Sequence, residues 1–311
     1  MVPPIYLDAI IFSSLLTLLS IGLTLTYLTT KVPNFAHGTF AAIGAYISLT
    51  VVHLFRGNLY LNLYLPFLVC GMIALGQYCV ILRPLMKRNV SIVGLMITTL
   101  AIDIFLLAVL NIYADYLTTV FKVTSRSFNL KAFDITVFGQ KGILLFAPTL
   151  TWISVVTLYL LLTKTKFGIS MRAAIENPNL ASTMGINVDL VYNVSWFISG
   201  GLAGLSGSLL PFWFLSNPDL GTKMIASIFA SSIVGGLYNI YGAIVGGYLI
   251  GLIEVLGTYF LALEFGTWVI PYRPIMPVIA VAVTLLIAPK GILGVKWRYI
   301  FRKISSRTHQ G

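Results

Sequence analysis

The sequence predicts an all-α polytopic membrane protein with about eight to nine transmembrane helices, one or two of them short or broken. Of its 311 residues, 58% are hydrophobic and only 9% are charged, whereas about 25% of the residues of a soluble domain are charged. The mean hydropathy is +0.93. Because so few charges cannot solvate the surface of a globule of this size, much of the surface must face lipid. We expect one transmembrane domain over residues 1–311.

Apolar runs long enough to span a membrane, or nearly so, follow one another along the chain. They are 10–29, 35–52, 61–82, 91–110, 143–162, 191–214, 243–263 and 275–288. A further run, 225–237, has only about two-thirds of the ~20 residues that a spanning helix needs. Residues 113–142 are interpreted as a longer loop of mixed charge. No internal repeat is evident, and no positive segment precedes the first run, so we expect that run to stay in the protein as a helix.

Basic residues predict which ends face the cytoplasm. The last segment, 290–311, contains six basic residues and no acid, namely Lys290, Lys296, Arg298, Arg302, Lys303 and Arg307. Since it follows a membrane segment directly, we expect a cytoplasmic tail on anionic lipid rather than a nucleic-acid site. One crossing per run places residues 83–89 and 164–189 in the cytoplasm and the N-terminus outside. If 225–237 were a re-entrant hairpin instead, the tail and residues 164–189 would lie on opposite sides.

A polar passage, RAAIENPNLASTMGIN at residues 172–187, interrupts the apolar chain. Pro178 cannot continue a helix and pushes Asn177 away from helical angles, so Asn177 can cap a second helix that starts at Pro178. Gly185 is a favourable left-handed terminator for that helix. We therefore expect two short helices, the first opening at Gly168 or Ser170. Their exposed apolar side chains favour a docking surface for another protein over a solvated connector.

Small residues at helical spacing predict close packing of helix backbones in lipid. One row contains Ser199, Ala203 and Gly207 with Gly200, Gly204 and Ser208 beside it, and another contains Ala243, Gly247 and Gly251 with Gly242 and Gly246. A second interpretation is that these helices also line a pathway and slide during gating.

Polar residues within apolar runs are the candidates for function. His37 either makes a structural hydrogen bond at a helix start that Asn34 caps, or marks a break on a translocation path at residues 33–38. Asp103 and Glu254 are ionisable residues inside apolar runs, which makes each a functional candidate. Either could also pair with a basic residue of a partner subunit. Arg273 is expected at the outer mouth, bound to a lipid headgroup or to a docking protein.

Two kinds of enzyme are excluded. No glycine is followed by Lys-Ser or Lys-Thr, so the chain has no phosphate-binding loop and cannot hydrolyse ATP itself. Residues 204–207 read G-x-S-G, as in intramembrane serine proteases, but Ser206 would need a histidine base on a later membrane helix. The only later histidine is His309, in the tail.

Several motifs in order resemble the branched-chain amino-acid permease family of ABC importers. VPNFAHG at 32–38 with TFAAIGAY at 39–46 is similar to a family signature, and the polar passage resembles the family's cytoplasmic coupling loop. SGGLAGLSG at 199–207, SIVGG at 232–236, YGAIVGG at 241–247 and LIE at 252–254 follow in the family's order. Together they cover most of the chain, and the lack of a long N-terminal extension favours the shorter of the family's two permease types.

The resemblance implies half of a heterodimeric pore. Its partners would be a second permease subunit, two cytoplasmic ATPases and an external solute-binding protein that delivers leucine, isoleucine or valine. The implied coupling loop is 164–189, with Arg172, Glu176, Asn177, Pro178, Met184 and Gly185. The path candidates are Asn34, His37, Gly38 and Glu254.

No cofactor and no metal site are expected. Asp103 departs from the small polar or apolar residue that is usual in the family, so urea, amides and other amino acids stay open as solutes. An ion-coupled secondary transporter or channel that works alone is the rival from another class.

Overall fold

A computed structural model describes residues 3–137, 139–289 and 291–294, and almost all of its regular structure is helical. The helices are α1 Pro4–Thr30, α2 His37–His53, α3 Tyr64–Gly76, α4 Arg83–Lys87, α5 Ile92–Phe121, α6 Ile143–Lys164, α7 Lys166–Glu176, α8 Pro178–Thr183, α9 Val188–Leu209, α10 Leu220–Gly235, α11 Ile240–Leu252, α12 Thr258–Phe265 and α13 Ile275–Ile287. Two π-helical turns, Gln77–Leu82 and Ile253–Gly257, join α3 to α4 and α11 to α12.

Short elements complete the described chain. Turns of 3₁₀ helix are Tyr60–Asn62, Lys131–Phe133, Leu210–Phe212, Thr267–Tyr272 and Ile292–Gly294. The strands β1 Thr136–Val137 and β2 Gln140–Lys141 form a small antiparallel hairpin. The basic tail predicted over 290–311 lies outside the described residues, apart from 291–294.

Each predicted apolar run contains a helix, but one loop is shorter than expected. Helix α5 continues to Phe121, although residues from 113 onward were predicted to be a loop. Lys122 then ends the helix in a left-handed conformation, with its amide bonded to the Leu117 carbonyl. Asp115, near the end of α5, is ion-paired with Arg126 in the segment that follows. The mixed charge therefore belongs to the end of a helix and to the connection behind it.

Five helical segments are long and apolar enough to cross a membrane: Pro4–Thr30, Tyr60–Lys87, Ile92–Phe121, Ile143–Lys164 and Ile240–Phe265. Leu220–Gly235 and Ile275–Ile287 are apolar but shorter. The protein is thus a helical membrane-spanning protein. The number of about eight to nine crossings stays a prediction.

Helix α1 forms the centre of the bundle and is almost wholly buried. It packs against α6, α9, α10 and α11. Contacts between helices give their relative directions. The Ser199 hydroxyl of α9 donates a hydrogen bond to the Gly22 carbonyl of α1, and Ser206, two turns later, donates to the Leu15 carbonyl. Helix α9 therefore runs opposite to α1. The same reasoning gives α1, α3, α6, α10 and α13 one direction and α2, α5, α9 and α11 the other.

The structure contains an internal repeat that the sequence did not reveal. Helices α1, α2, α3 and α5 correspond in order to α9, α10, α11 and α13, with every direction reversed. In each half, a long helix is followed by a non-helical break and a helix of 17 or 16 residues. Next comes a 13-residue helix that passes into a π turn. Inverted repeats of this kind are common among transporters, and opposite orientation conceals them from a linear comparison of residues.

Helices α2 and α10 begin in the middle of the bundle. The ring of His37, at the start of α2, contacts the carbonyl of Leu19, near the middle of α1. Gly221, at the start of α10, packs against the backbone of Gly38 and Thr39. The breaks 31–36 and 213–219 lead the chain to this level from opposite ends of the bundle. Broken helices that start inside a membrane bundle are tolerated where protein or a cavity surrounds the free backbone groups.

Candidate functional site

The polar passage folds as two short helices at one end of the bundle; we call residues 164–189 the elbow. Asn177 accepts a hydrogen bond from the Leu180 amide at 3.1 Å and caps α8, and Pro178 is its first residue. Gly185 has a φ of +82°, which suits glycine. The first helix begins earlier than expected, at Lys166, because the Thr165 hydroxyl caps it by accepting from the Gly168 amide.

One side of the elbow is fixed to the bundle. Met171 and Ala174 of α7 are buried in a cluster with Leu25 of α1 and Trp196 of α9. The guanidinium of Arg172 donates to the Leu162 carbonyl at the end of α6, at 2.6 Å. The elbow is therefore fixed to α1, α6 and α9 and is not a free loop.

The other side of the elbow is open and apolar. Leu180 is 60% exposed and Met184 is 76% exposed. They line a cavity of about 460 Å³ between α7 and α8, with Ala173, Glu176, Asn177, Ala181 and Ile186. A second cavity, of about 310 Å³, lies between α7 and the start of α11, and Glu176 lines both. An exposed apolar hollow with a polar rim is suited to a protein partner.

An ion pair joins the exit of the elbow to the neighbouring helices. Asp189, in the first turn of α9, pairs with Arg83 of α4. Gly291, near the end of the described chain, packs against Gly236, which follows α10 at the same end of the bundle. The described C-terminal residues and the elbow therefore lie at one end, as the parity with a crossing 225–237 requires.

The start of α2 is a buried polar junction. His37 is fully buried, and its Nε2 lies 3.0 Å from the Leu19 carbonyl oxygen, to which it donates. Asn34 does not cap α2 from the N-cap position, which Ala36 occupies. Its Oδ1 instead accepts from the Ala36 amide and from Nε2 of Gln77, at 3.2 and 3.0 Å. These bonds hold the break in place and tie it to the π turn that follows α3.

Gly38 allows helices α2 and α10 to meet. A Cβ added to Gly38 would lie 2.5 Å from the Gly221 carbonyl oxygen, which is closer than real Cβ contacts. Any larger residue would therefore separate α2 from α10 at the middle of the bundle.

Glu254 lies in the second π turn and pairs within the chain. It is 5% exposed, and Nε of Arg273 donates to its Oε1 at 2.9 Å. The Arg273 guanidinium also lies 4.3 Å from the ring centroid of Phe12. Arg273, which was expected to bind a lipid headgroup or a docking protein, thus has Glu254 and the Phe12 ring as partners within the chain.

Asp103 and Lys223 are charged residues near the start of α2, and Asp219 lies one helical turn before Lys223. Asp103 of α5 is half-buried and accepts a hydrogen bond from the Thr39 hydroxyl. The sequence reasoning missed Lys223, because the apolar run was counted from residue 225. Helix α10 begins at Leu220, so Lys223 is in its first turns, and its side chain is exposed. A lysine flanked by small and apolar residues was the available signal.

The small-residue rows lie where helix backbones approach most closely. Added Cβ atoms on the six predicted packing glycines would overlap neighbouring helices. Gly200 and Gly204 face α3, Gly207 faces α2, Gly242 and Gly246 face α10, and Gly247 faces α1.

Comparison with known proteins gives consistent matches over most of the chain. A family model described as branched-chain amino acid transport system, permease component, matches residues 5–289. The probable branched-chain amino acid transport permease protein LivH of Methanocaldococcus jannaschii is 49% identical over 298 residues, covering 96% of this chain and 94% of that protein. The high-affinity branched-chain amino acid transport system permease protein LivH of Escherichia coli K12 is 26% identical, covering 92% and 94%.

A nucleoside ABC transporter permease protein, NupC of Lactococcus lactis, is 34% identical over 99 residues, which is 30% of each chain. No solved structure gives a significant match.

Proposed function

Since the chain belongs to the LivH-type branched-chain amino-acid permease family of ABC transporters, we propose that it forms one half of a heterodimeric importer pore. The other half is a second permease subunit. Two cytoplasmic ATPases supply the energy, and an external solute-binding protein delivers the solute. The solute is a branched-chain amino acid (leucine, isoleucine or valine), and the related branched-chain amino acid permeases support this assignment.

The elbow is the observation that carries this proposal. It is an ordered feature that exposes Leu180 and Met184 beside a cavity of about 460 Å³, and its buried side is fixed to α1 and α9. An ATPase seated in this cavity would move the ends of those helices directly. The proposed contact residues are Arg172, Glu176, Asn177, Pro178, Met184 and Gly185. We also propose that the elbow and the C-terminal tail lie on the cytoplasmic side of the membrane.

Helix α9 is the route by which the motion reaches the middle of the bundle. It starts at the elbow and packs against α1, α2 and α3. Displacing α9 therefore acts on the junction where α2 and α10 begin. Asn34, His37, Gly38 and Glu254 are the proposed residues on or beside the path, which opens alternately to each side as the ATPases close and separate.

The proposal is tested by a charge in the elbow cavity. Leu180→Asp places a carboxylate in the proposed contact, and we expect at least about tenfold weaker retention of the ATPases, as for a buried interface residue. Co-purification with the ATPases from membranes measures this. Leu61→Asp is the matched control, since Leu61 is 79% exposed at the opposite end of the bundle. Full retention of the ATPases by the Leu180 variant would show that the elbow is not their dock.

A further inference from the structure

One face of the bundle is formed by α5, α2, α10 and α13 in that order. Helix α5 packs on α2, α2 on α10, and α10 on α13. The two inner helices of the face are the short ones that begin in the middle of the bundle. On this face α2 and α10 lie between α5 and α13. The first residues of α2 are buried, whereas Thr222 and Lys223 near the start of α10 are exposed.

Contacts at two successive levels connect three helices of this face. At the lower level, nearer the elbow, the amide of Phe35 donates to Thr99 of α5 at 3.4 Å. The Phe35 ring lies 5.0 Å from the ring of Phe229 of α10. One turn further from the elbow, Thr39 donates to Asp103 of α5, and its backbone packs against Gly221 of α10. Asp103 and Lys223 thus lie on either side of the start of α2, at similar depth.

That depth is the middle of the bundle. The residue before Gly38 contacts the carbonyl of Leu19, near the middle of the longest buried helix. Ionised side chains at such a depth are costly unless a counter-charge or a water-filled path accompanies them. Keeping these two side chains ionised without a functional partner would therefore cost free energy.

Neither charge has a counter-ion among the described residues. The ion pairs there are Arg83–Asp189, Arg126–Asp115 and Arg273–Glu254. Asp219, one helical turn before Lys223, is exposed but does not lie within 4.0 Å of its ammonium. Within the described part of the chain, neither Asp103 nor Lys223 is therefore neutralised by an ion pair.

We propose that Asp103 and Lys223 recognise the two main-chain charges of a zwitterionic α-amino acid as it passes through the pore. The substrate ammonium is attracted to Asp103 and the substrate carboxylate to Lys223, which lies in the N-terminal turns of α10 where an anion is also favoured. This inference rests on the proposed function and narrows its substrate. Urea and amides carry neither charge and would leave both side chains uncompensated, so the site favours amino acids.

Transport by the assembled complex tests the proposal. The complete transporter is reconstituted in proteoliposomes, and ATP-driven uptake of radiolabelled leucine is measured at saturating binding protein. Lys223→Met and Asp103→Asn are each expected to lower the uptake rate about tenfold, the effect of losing one charge-assisted contact. Lys223→Arg keeps the charge and should retain most of the rate. The matched controls Lys141→Met and Asp115→Asn change exposed charges at the end opposite the elbow and should keep the wild-type rate.

Two further measurements separate the possible causes. ATP hydrolysis stimulated by loaded binding protein should persist in Lys223→Met and Asp103→Asn, because only the path is altered. Wild-type uptake in both variants would overturn the site while leaving the importer function intact. Loss of the second permease subunit from the purified variants would also overturn it, because the charges would then belong to the subunit contact. Failure of the wild-type complex to import leucine would instead remove the proposed function itself.

Discussion

At the scale of single residues, two ion pairs of the same chain have opposite surroundings. The Glu254 side chain is 7% exposed and that of Arg273 is 30% exposed, whereas those of Asp115 and Arg126 are 59% and 52% exposed. Removing one member of a buried pair leaves a charge without compensation, whereas an exposed charge returns to water. Glu254 therefore acts first as an anchor that holds the segment before α13 against the π turn.

The two pairs give a matched prediction. Arg273→Met should lower the free energy of unfolding by about 3 kcal/mol, because the Glu254 carboxylate stays buried without a partner. Arg126→Met should cost less than about 1 kcal/mol. Thermal unfolding in detergent measures both, and the double variant Glu254→Met with Arg273→Met should recover part of the loss. Equal, small effects of the two single variants would contradict the anchoring role.

At the scale of elements, the glycines of α9 determine how closely three helices pack. A Cβ on Gly207 would overlap the carbonyl group of Ala41 of α2, which is backbone and cannot move aside alone. Gly76, at the end of α3, has open space where its Cβ would be. The same substitution therefore has opposite consequences at the two positions.

Gly207→Ala should destabilise the protein by about 1–3 kcal/mol, because it forces α2 and α9 apart. Gly76→Ala should be neutral or stabilise by up to about 1 kcal/mol, because alanine favours a helix. Thermal unfolding again provides the measurement. A loss of stability at Gly76 as large as at Gly207 would show that backbone contact is not what requires glycine.

Local chemistry made some elements predictable from the sequence and left others out of reach. The break in the elbow follows from Asn177, Pro178 and Gly185, whose conformations are determined by their immediate neighbours. The start of α2 cannot be predicted in this way, because the Asn34 side chain accepts a hydrogen bond from Gln77, which is 43 residues away. The partner of Glu254 was missed for the same reason. Its arginine comes from a segment after α12, and apolar periodicity does not indicate which segments meet.

At the scale of the whole molecule, an inverted repeat places the starts of α2 and α10 in contact at the centre of the bundle. The order and type of helices could be predicted from hydropathy, which reports burial along one chain segment at a time. The repeat could not, because its halves share helix lengths, breaks and π turns rather than residues. Its consequence is a junction between α2 and α10 at the middle of the bundle, and α9 connects this junction to the elbow by packing against both α2 and α7.

Leucine uptake into proteoliposomes decides whether this molecule is an ATP-driven half-pore or a transporter that works alone. The chain is reconstituted with and without its second permease subunit, the ATPases and the binding protein. We predict uptake only with the complete set and with ATP, and loss of uptake in Leu180→Asp with Leu61→Asp unaffected. Uptake by the chain alone, driven by an ion gradient and unchanged by Leu180→Asp, would contradict the importer function.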